Sequence, residues 1–159
     1  MEVRTTTTDT RDVVLRALRK TRQIRSFTEE PVSEDDLHTI LEVSRWTGSS
    51  MNTQPWQFIV VRDADVRRQI GEISVHARYV GKAPLAIAIA MPGEDSESDA
   101  YDEARVAERI LIAASAMGLV AAPSARAPHN SATAPLITPT ATRMVPPTRA
   151  RSACRCCRQ

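Results

Sequence analysis

The chain has 159 residues, of which 42% are hydrophobic and 25% charged, a composition typical of a globular protein and unlike fibrous, membrane-spanning or wholly disordered chains. Its net charge of +2 conceals two unlike parts, because residues 1–122 carry 15 basic and 19 acidic side chains, whereas residues 123–159 carry six arginines and no acid. The longest apolar run, Ala83 to Met91, has nine residues, and a membrane-spanning helix needs about 20. Since residues 1–122 also hold no cysteine and the N-terminus shows no apolar secretion signal, we expect a cytoplasmic protein without membrane association.

The spacing of apolar residues in residues 1–122 predicts alternating helices and strands. In chain order, the predicted elements are a helix over residues 10–20, a helix from residue 33, a strand over 56–61, a helix over 64–79, a strand over 84–91 and a helix over 99–118. Asp9 or Thr10 is expected to cap the first helix, Ser33 the second, and Gly118 is expected to end the last. This alternation favours a sheet covered by helices, of the α/β or α+β class, over a helix bundle.

Each predicted element has an expected buried face. The strand over residues 56–61 is expected to be buried on both faces, and the acidic segment 94–99 is expected to be a solvated loop. Each helix is expected to bury one set of apolar residues. These are Val13, Val14, Leu15 and Leu18 in the helix over residues 10–20; Leu37, Ile40, Leu41 and Val43 in the helix from residue 33; Val66, Ile70, Ile73 and Val75 in the helix over 64–79; and Val106, Ile110, Leu111, Ala114 and Met117 in the helix over 99–118.

Residues 123–159 form a second region, rich in Ala, Pro, Thr and Arg. They hold six of the ten prolines and show no sustained periodicity, so we predict a disordered tail. Cys154, Cys156 and Cys157 lack the paired C-x₂-C spacing of a zinc site, and free thiols are expected rather than a metal. The six arginines are dispersed without aromatic residues among them, which disfavours a nucleic-acid-binding arm.

Several catalytic signatures are missing from the sequence. It contains no Gly-rich nucleotide-binding turn, no phosphate-loop Gly-Lys-Ser/Thr and no His-Glu-x-x-His. His38, His76 and His129 do not lie in a pattern that suggests an activated nucleophile. The sequence therefore predicts neither a catalytic side chain nor a metal ligand.

Two polar segments could instead hold a cofactor. The first, Thr21 to Phe27, places Arg22 and Arg25 on either side of an amide and an apolar residue, and guanidinium groups match the geometry of phosphate. The alternative for these arginines is a solvated helix end that interacts with the C-terminal dipole of the first helix. The two interpretations remain equally open on the sequence alone.

The second polar segment, Gly48 to Trp56, joins a helix to a strand. Its hydroxyls and amides, in a loop stiffened by Pro55, suit the carbonyl and N–H edge of a planar heterocycle. The alternative is a turn in which serine and asparagine cap neighbouring backbone groups. Considered alone, this segment favours the turn.

Together, the motifs resemble those of the nitroreductase family of flavin enzymes. They read Arg22-Gln23-Ile24-Arg25-Ser26-Phe27, then Pro31-Val32 through Leu37, then Ser49-Ser50-Met51-Asn52-Thr53-Gln54-Pro55-Trp56. The helix from Tyr101 to Leu119 is similar to the long central helix of that family. The resemblance covers about residues 11–122, which implies an α+β fold with a nitroreductase-like sheet flanked by helices, residues 1–122 forming the flavin-binding domain and residues 123–159 the disordered tail.

The resemblance also implies a function. Family members hold FMN at a homodimer interface, so Arg22, Gln23 and Arg25 would hold the phosphate and ribityl chain, and Ser49, Ser50 and Asn52 of the other subunit would contact the isoalloxazine. NAD(P)H would reduce the flavin and leave, and an electron-poor acceptor such as a nitroaromatic or quinone would then take the electrons. The flavin performs this chemistry and the protein positions it, so the missing acid or base is no objection.

The chain departs from the family pattern at a few positions. Thr21, Gln23 and Gly48 stand where the family often has Arg, Ser and Pro. Residues 123–159 replace a further strand, a Gly-containing loop and C-terminal elements, which leads to the hypothesis of a truncated or frame-shifted relative with an exposed sheet edge. The alternative function is therefore a catalytically impaired relative that binds flavin or a partner.

Overall fold

A computed structural model describes residues 9–73, 75–124 and 136–143 of the chain. These residues form four α-helices and four β-strands. The elements are, in chain order, α1 (Thr10–Lys20), α2 (Glu34–Arg45), β1 (Gln57–Val61), α3 (Ala64–Ile73), β2 (Leu85–Ala90), α4 (Ser96–Ala116), β3 (Leu119–Ala121) and β4 (Leu136–Arg143). Two 3-10 turns, Ser50–Asn52 and Arg78–Lys82, lie before β1 and β2.

Short polar side chains and one glycine set the helix ends, as the sequence predicts. The Asp9 carboxylate accepts the Arg11 N–H at 3.1 Å before α1, and the Ser33 hydroxyl accepts the Asp36 N–H at 3.1 Å before α2. After α4, Gly118 adopts a φ of 78°, a left-handed conformation that glycine reaches without a steric penalty. The predicted caps are therefore confirmed.

The beginning of α4 corrects the expectation of a solvated loop over residues 94–99. Asp95 caps the helix by accepting the N–H groups of Glu97 and Ser98, so α4 begins at Ser96. Asp99 is buried in the first turn, where its carboxylate accepts the Gly93 N–H at 2.8 Å. Carboxylates in this position interact favourably with the positive end of the helix dipole, which explains why an acidic stretch opens a helix.

The four strands form one antiparallel sheet in the order β1-β2-β4-β3. In β1 and β2, Ile59 lies opposite Ala88; in β2 and β4, Ile87 lies opposite Thr138. The register between β3 and β4 shifts between Leu119 and Ala121. β2 and β4 are therefore the central strands, although β4 is the last of the four along the chain.

The strand β4 corrects the prediction for part of the tail. Residues 136–143 were expected to be disordered, and they instead pair with β2 on one side and β3 on the other. Thr138, Thr140 and the neighbouring β-branched residues favour extended backbone, and pairing satisfies the peptide groups of both neighbouring strands. β2 consequently has no exposed edge. The rest of the predicted tail, with Cys154, Cys156 and Cys157, lies outside the described residues.

The main hydrophobic core lies between the sheet and helices α2 and α4. All six residues of β2 are buried or half-buried, and the strand lies within the predicted range 84–91. The largest fully buried apolar side chains there are Ile40 of α2, Ile87 and Ile89 of β2, and Val106 and Ile110 of α4. The predicted core faces of α2 and α4 are thus largely confirmed, except that Val43 is 41% exposed.

The predicted burial of β1 and α3 is wrong for several of their residues. β1 is an edge strand, so Gln57 and Ile59 are exposed rather than buried on both faces. α3 ends at Ile73 and leaves Val66, Ile73 and the following Val75 exposed. It buries Arg67 and Gly71 instead, because it packs against the 3-10 turn Arg78–Lys82, where a Cβ on Gly71 would lie 3.3 Å from the backbone nitrogen of Gly81.

Helix α1 has the predicted bounds but not the predicted burial. None of its residues is buried, and Val13, Val14 and Leu18 are each about half exposed at 51%, 51% and 49%. Val13, Val14 and Leu18 therefore lie largely outside the core of this chain, and of the four predicted residues only Leu15 is half-buried.

The architecture confirms the α+β class, with a sheet flanked by helices. The helices and strands alternate along residues 34–121, and the sheet is antiparallel throughout. Within the described residues, no helix is long and apolar enough to cross a membrane.

Candidate functional site

The segment from Gly48 to Gln54 is a tight loop between α2 and β1. Met51, Asn52 and Gln54 all have positive φ angles, of 52°, 57° and 49°. L-residues rarely adopt this left-handed conformation, which costs them about 1–2 kcal/mol each, so tertiary contacts must hold the loop in place. Strain of this kind clusters at binding and catalytic sites.

A buried carboxylate on α4 anchors this loop. Asp102 is 1% exposed, and its two carboxylate oxygens accept the backbone N–H of Ser50 at 3.1 and 2.9 Å. Asp102 also lies 3.7 Å from a guanidinium nitrogen of Arg105. The charge of the carboxylate strengthens the hydrogen bonds to Ser50 and thereby fixes the position of the 3-10 turn.

Asp102 was not predicted from the sequence. The signal that could have identified it is its position on α4, four and eight residues before the buried Val106 and Ile110, which places an acid on the apolar face of the helix. A buried acid needs a hydrogen-bonding partner, and here the partner is 52 residues away along the chain.

The predicted loop residues combine internal bonds with free polar groups. The Ser49 hydroxyl accepts the Gln54 N–H at 2.7 Å, and the Asn52 side-chain oxygen accepts the Gln54 amide at 3.3 Å. These contacts match the turn-capping alternative. Within residues 9–73 and 75–124, however, the Ser50 hydroxyl and the Asn52 amide nitrogen have no hydrogen-bond partner, and both side chains are exposed. They remain available to a ligand.

A groove runs along α4 beside the loop. It has a volume of about 420 Å³ and an open mouth, and its walls include Thr47, Tyr101, Arg105 and Arg109. Gly48 lies against it, because a Cβ there would lie 3.0 Å from a guanidinium nitrogen of Arg105. Two arginines thus lie next to the loop: Arg105 is exposed, and Arg109 is half-buried and donates to the Trp46 carbonyl at 2.9 Å.

The arginine segment lies elsewhere in the fold. Thr21 closes α1 by donating its hydroxyl hydrogen to the Ala17 carbonyl at 2.9 Å. One guanidinium nitrogen of Arg22 donates to the carbonyls of Arg19 and Thr21, each at 2.7 Å. Arg22 therefore makes the contacts of a helix-end arginine, which is the alternative interpretation of this residue.

Arg25 is placed differently. Its guanidinium carbon lies 5.3 Å from the centre of the Tyr79 ring, a cation–π geometry. The backbone just before Arg25 is held to β3, because Gln23 forms a parallel bridge with Ala121 and the Ile24 N–H donates to the Ala121 carbonyl at 3.0 Å. The side chains of Gln23 and Arg25 are exposed.

The structure thus attaches the two predicted segments to different parts of the fold. Residues 22–25 lie beside β3 and Tyr79, and residues 49–52 lie beside Asp102 in the N-terminal half of α4. The resemblance predicts that the two segments meet across a dimer interface. Within a single chain, the two segments lie apart from each other.

The end of α2, just before the loop, carries a strong ion pair. The Arg45 guanidinium donates two hydrogen bonds of 2.7 Å to the Glu42 carboxylate, and the Trp46 indole donates a third of 3.0 Å. These bonds, that of Arg45 first, lower the pKa of Glu42 from 4.5 to about 2. The pKa of Arg45 is raised by the same hydrogen bond. The cluster is exposed and remains ionised near neutral pH.

No group of three or more His, Cys, Asp or Glu side chains in the described part of the chain could hold a metal ion. His38 and His76 are exposed, and His129 lies outside the described residues.

Comparison with known proteins identifies the family. A sequence model of the nitroreductase family matches residues 18–92. The chain belongs to the nitroreductase family. A protein of Methanothermobacter thermautotrophicus, whose name refers to NADH dehydrogenase and NAD(P)H nitroreductase, is 30% identical over 109 residues, which are 67% of this chain and 57% of that relative. An FMN reductase [NAD(P)H] of Bacillus subtilis is 33% identical over 72 residues, 45% of this chain and 29% of that enzyme.

Solved structures of the nitroreductase family share the fold. An FMN-dependent nitroreductase of Clostridium difficile superposes with a TM-score of 0.74 at 21% identity, covering 86% of this chain and 89% of that one. A Parabacteroides distasonis protein superposes with a TM-score of 0.75 at 21% identity, covering 87% and 92% of the two chains. The chain spans less than two thirds of the length of the first curated relatives that it matches, at 57%, 59% and 38%.

Proposed function

We propose that this nitroreductase-family chain is an FMN-dependent oxidoreductase that transfers electrons from NAD(P)H to nitroaromatic, quinone or similar electron-poor acceptors. The observation that carries the proposal is the strained loop held by Asp102, which leaves the Ser50 hydroxyl and the Asn52 amide nitrogen exposed and unbonded within the described residues. The names of relatives support it, since they include an FMN reductase and an oxygen-insensitive NADPH nitroreductase.

The polar groups present fit FMN. The hydroxyl of Ser50 and the amide of Asn52 suit the carbonyl and N–H edge of the ring system, and Arg25 presents an exposed guanidinium without a carboxylate partner among the described residues. When bound, FMN would supply the electron-accepting and electron-donating centre. The chain would bind the phosphate and ribityl groups through Arg22, Gln23 and Arg25, and the ring through Ser49, Ser50 and Asn52.

We further propose that the active form is a homodimer. Because residues 22–25 and 49–52 lie on different parts of one chain, a second copy is needed to bring the two sets of groups to one flavin. The half-exposed Val13, Val14 and Leu18 of α1 support self-association, since an apolar helix stripe is stabilised by burial against a partner. A cytoplasmic location stays a prediction from the sequence.

The test is flavin retention combined with the oligomeric state. The purified chain is incubated with FMN, desalted, and analysed by visible absorbance and by size-exclusion chromatography with light scattering. We expect a flavin band that elutes with a dimer, and NAD(P)H oxidation that increases when a nitroaromatic or quinone is added. Arg22→Ala and Asn52→Ala should each weaken FMN binding by about tenfold or more, the loss expected for hydrogen bonds to a charged or buried group.

Matched controls separate site effects from general destabilisation. Arg16→Ala removes an exposed guanidinium from the same region as Arg22, and Gln69→Ala removes an exposed amide, so both should bind FMN as tightly as the parent chain. A folded dimer that retains no flavin would overturn the proposal. A dimer that retains flavin but oxidises no NAD(P)H would favour the catalytically impaired relative.

A further inference from the structure

Tyr79, in the 3-10 turn Arg78–Lys82, joins three separate parts of the fold. Its ring lies under the Arg25 guanidinium at 5.3 Å and 6.4 Å from the centre of the Phe27 ring. Its hydroxyl donates a hydrogen bond to the carbonyl of Pro123, just after β3. The tyrosine therefore touches the arginine segment through its ring face and the chain after β3 through its hydroxyl.

The backbone of the arginine segment is held to the same stretch of chain. The Ile24 N–H donates to the Ala121 carbonyl, two residues before the Pro123 carbonyl that Tyr79 binds. The backbone just before Arg25 and the Tyr79 hydroxyl are thus both held to residues 121–123, which keeps the Tyr79 ring beside the Arg25 side chain. An arginine side chain otherwise samples many rotamers, and an ordered one loses less entropy when it binds a ligand.

Arg25 differs from the other arginines that lie over aromatic rings in the described residues. Arg45 lies 5.0 Å from the centre of the Trp46 ring, but Glu42 neutralises it. Arg105 lies 5.4 Å from the centre of the Tyr101 ring, but it is 3.7 Å from Asp102. Arg25 makes no hydrogen bond or ion pair with any described residue, so its five N–H donors remain available.

We propose that Tyr79 is a positioning residue, which orients the Arg25 guanidinium toward the bound FMN and so raises flavin affinity. This inference rests on the proposed function. Tyr79 acts through Arg25, because the hydroxyl hydrogen that could bind a phosphate oxygen is already donated to Pro123. Its ring, and not its hydroxyl, is therefore the part that matters for flavin binding.

The experiment titrates FMN and riboflavin, which lacks the phosphate, into the flavin-free chain and follows the quenching of flavin fluorescence. The variants are Tyr79→Phe, Tyr79→Leu, Arg25→Gln and the Tyr79→Leu/Arg25→Gln double variant. Tyr79→Leu should weaken FMN binding by about two- to fivefold, the effect of losing one exposed cation–π contact. Tyr79→Leu should change the ratio of FMN affinity to riboflavin affinity in the same direction as Arg25→Gln does. The double variant should bind FMN no more weakly than Arg25→Gln alone.

Tyr79→Phe distinguishes positioning from a structural role. It keeps the ring beneath Arg25 and loses the bond to Pro123, so its melting temperature should fall while its FMN affinity stays near that of the parent chain. Trp46→Leu is the matched control, because it removes the ring under Arg45 and should leave flavin affinity unchanged. In the flavin-free protein, NMR should show the Arg25 side-chain protons losing their ring-current shift in Tyr79→Leu and keeping it in Tyr79→Phe.

The outcomes separate this inference from the proposed function. If the parent chain binds neither flavin, the proposed function fails and the inference fails with it. If the parent chain binds FMN but Tyr79→Leu weakens binding equally with and without Arg25, the proposed function stands and the positioning role is overturned. A loss in Tyr79→Phe equal to that in Tyr79→Leu, with both variants folded, would overturn it as well.

Discussion

Removing the carboxylate of Asp102 should loosen the loop before β1 and destabilise the fold. In the native chain both oxygens of this buried side chain accept the Ser50 N–H, at 3.1 and 2.9 Å. Asp102→Ala removes the acceptor, so that only water can accept the Ser50 N–H. Asp102→Asn keeps one oxygen acceptor but removes the charge. The two variants therefore separate the loss of the bond from the loss of its charge.

The expected magnitude follows from the contacts. A hydrogen bond to a charged group contributes about 1.5–3 kcal/mol to stability, and one between neutral groups contributes about half as much. The Arg105 pair adds little, because its guanidinium nitrogen lies 3.7 Å away and its side chain is 41% exposed. We expect Asp102→Ala to lower the free energy of unfolding by about 2 kcal/mol and Asp102→Asn by about 1 kcal/mol.

Urea unfolding at 25 °C and a fixed protein concentration measures these changes. A loss of 2 kcal/mol corresponds to a fall in melting temperature of about 4–8 °C for a chain of this length. Hydrogen exchange should also show the Ser50 amide less protected in both variants. Glu108→Ala, at an exposed position of the same helix, is the control and should change the stability by less than about 0.5 kcal/mol. If Asp102→Ala stays within that range, or the Ser50 amide keeps its protection, Asp102 does not anchor the loop.

Three further predictions concern the exposed ion pair, the strained loop and the end of α4. Because the folded-state pKa of Glu42 is lowered from 4.5 to about 2, its ion pair stabilises the fold above pH 4.5 and is lost as the pH falls toward 2. The difference in stability between the parent chain and Glu42→Gln should therefore shrink in acid titrations over this range, and also at high salt. A difference that persists at pH 2 would contradict the assignment of this stability to the Glu42 ion pair. Met51→Gly should be more stable than Met51→Ala by about 1 kcal/mol in chemical denaturation, because Met51 is 93% exposed and has a φ of 52°. Gly118→Ala should lower the melting temperature, through a cost of about 1 kcal/mol for an L-residue at a φ of 78°, and an unchanged melting temperature would show that the chain relaxes there.

Local signals in the sequence predicted the helix ends and the central strand β2. Ser33 and Gly118 act through the nearest backbone groups, so the few residues around them contain the needed information. The burial of β2 could be predicted because its apolar run is continuous.

Tertiary contacts decided the features that the sequence did not predict. α3 buries Arg67 and Gly71 because a 3-10 turn packs on that side of the helix, whereas Val66 and Ile73 face solvent and only Ile70 of its predicted core residues is half-buried. β4 contains Pro139 opposite Ala86, and a proline argues against a central strand because it cannot donate to the ladder. Extended pairing with two neighbours outweighs that local disadvantage.

The candidate site likewise combines residues that local motifs identify with residues that only the fold identifies. The motifs singled out Arg22, Arg25, Ser50 and Asn52, whose roles in flavin binding stay predictions. Neither Asp102 nor Tyr79 could be assigned a role from spacing alone, because each acts on a residue more than 50 positions away in the chain. Such pairs appear only when the fold brings them together.

The central position of β4 has a consequence for the order of events during synthesis. Ile87 of β2 pairs with Thr138, 51 residues later, so one side of β2 stays unpaired until residues 136–143 have left the ribosome. Pairing across such a separation slows folding, and an open strand edge invites pairing between neighbouring nascent chains. A shorter interval between the emergence of β2 and that of β4 should therefore raise the yield of folded protein, because residues 136–143 cover the open edge of β2.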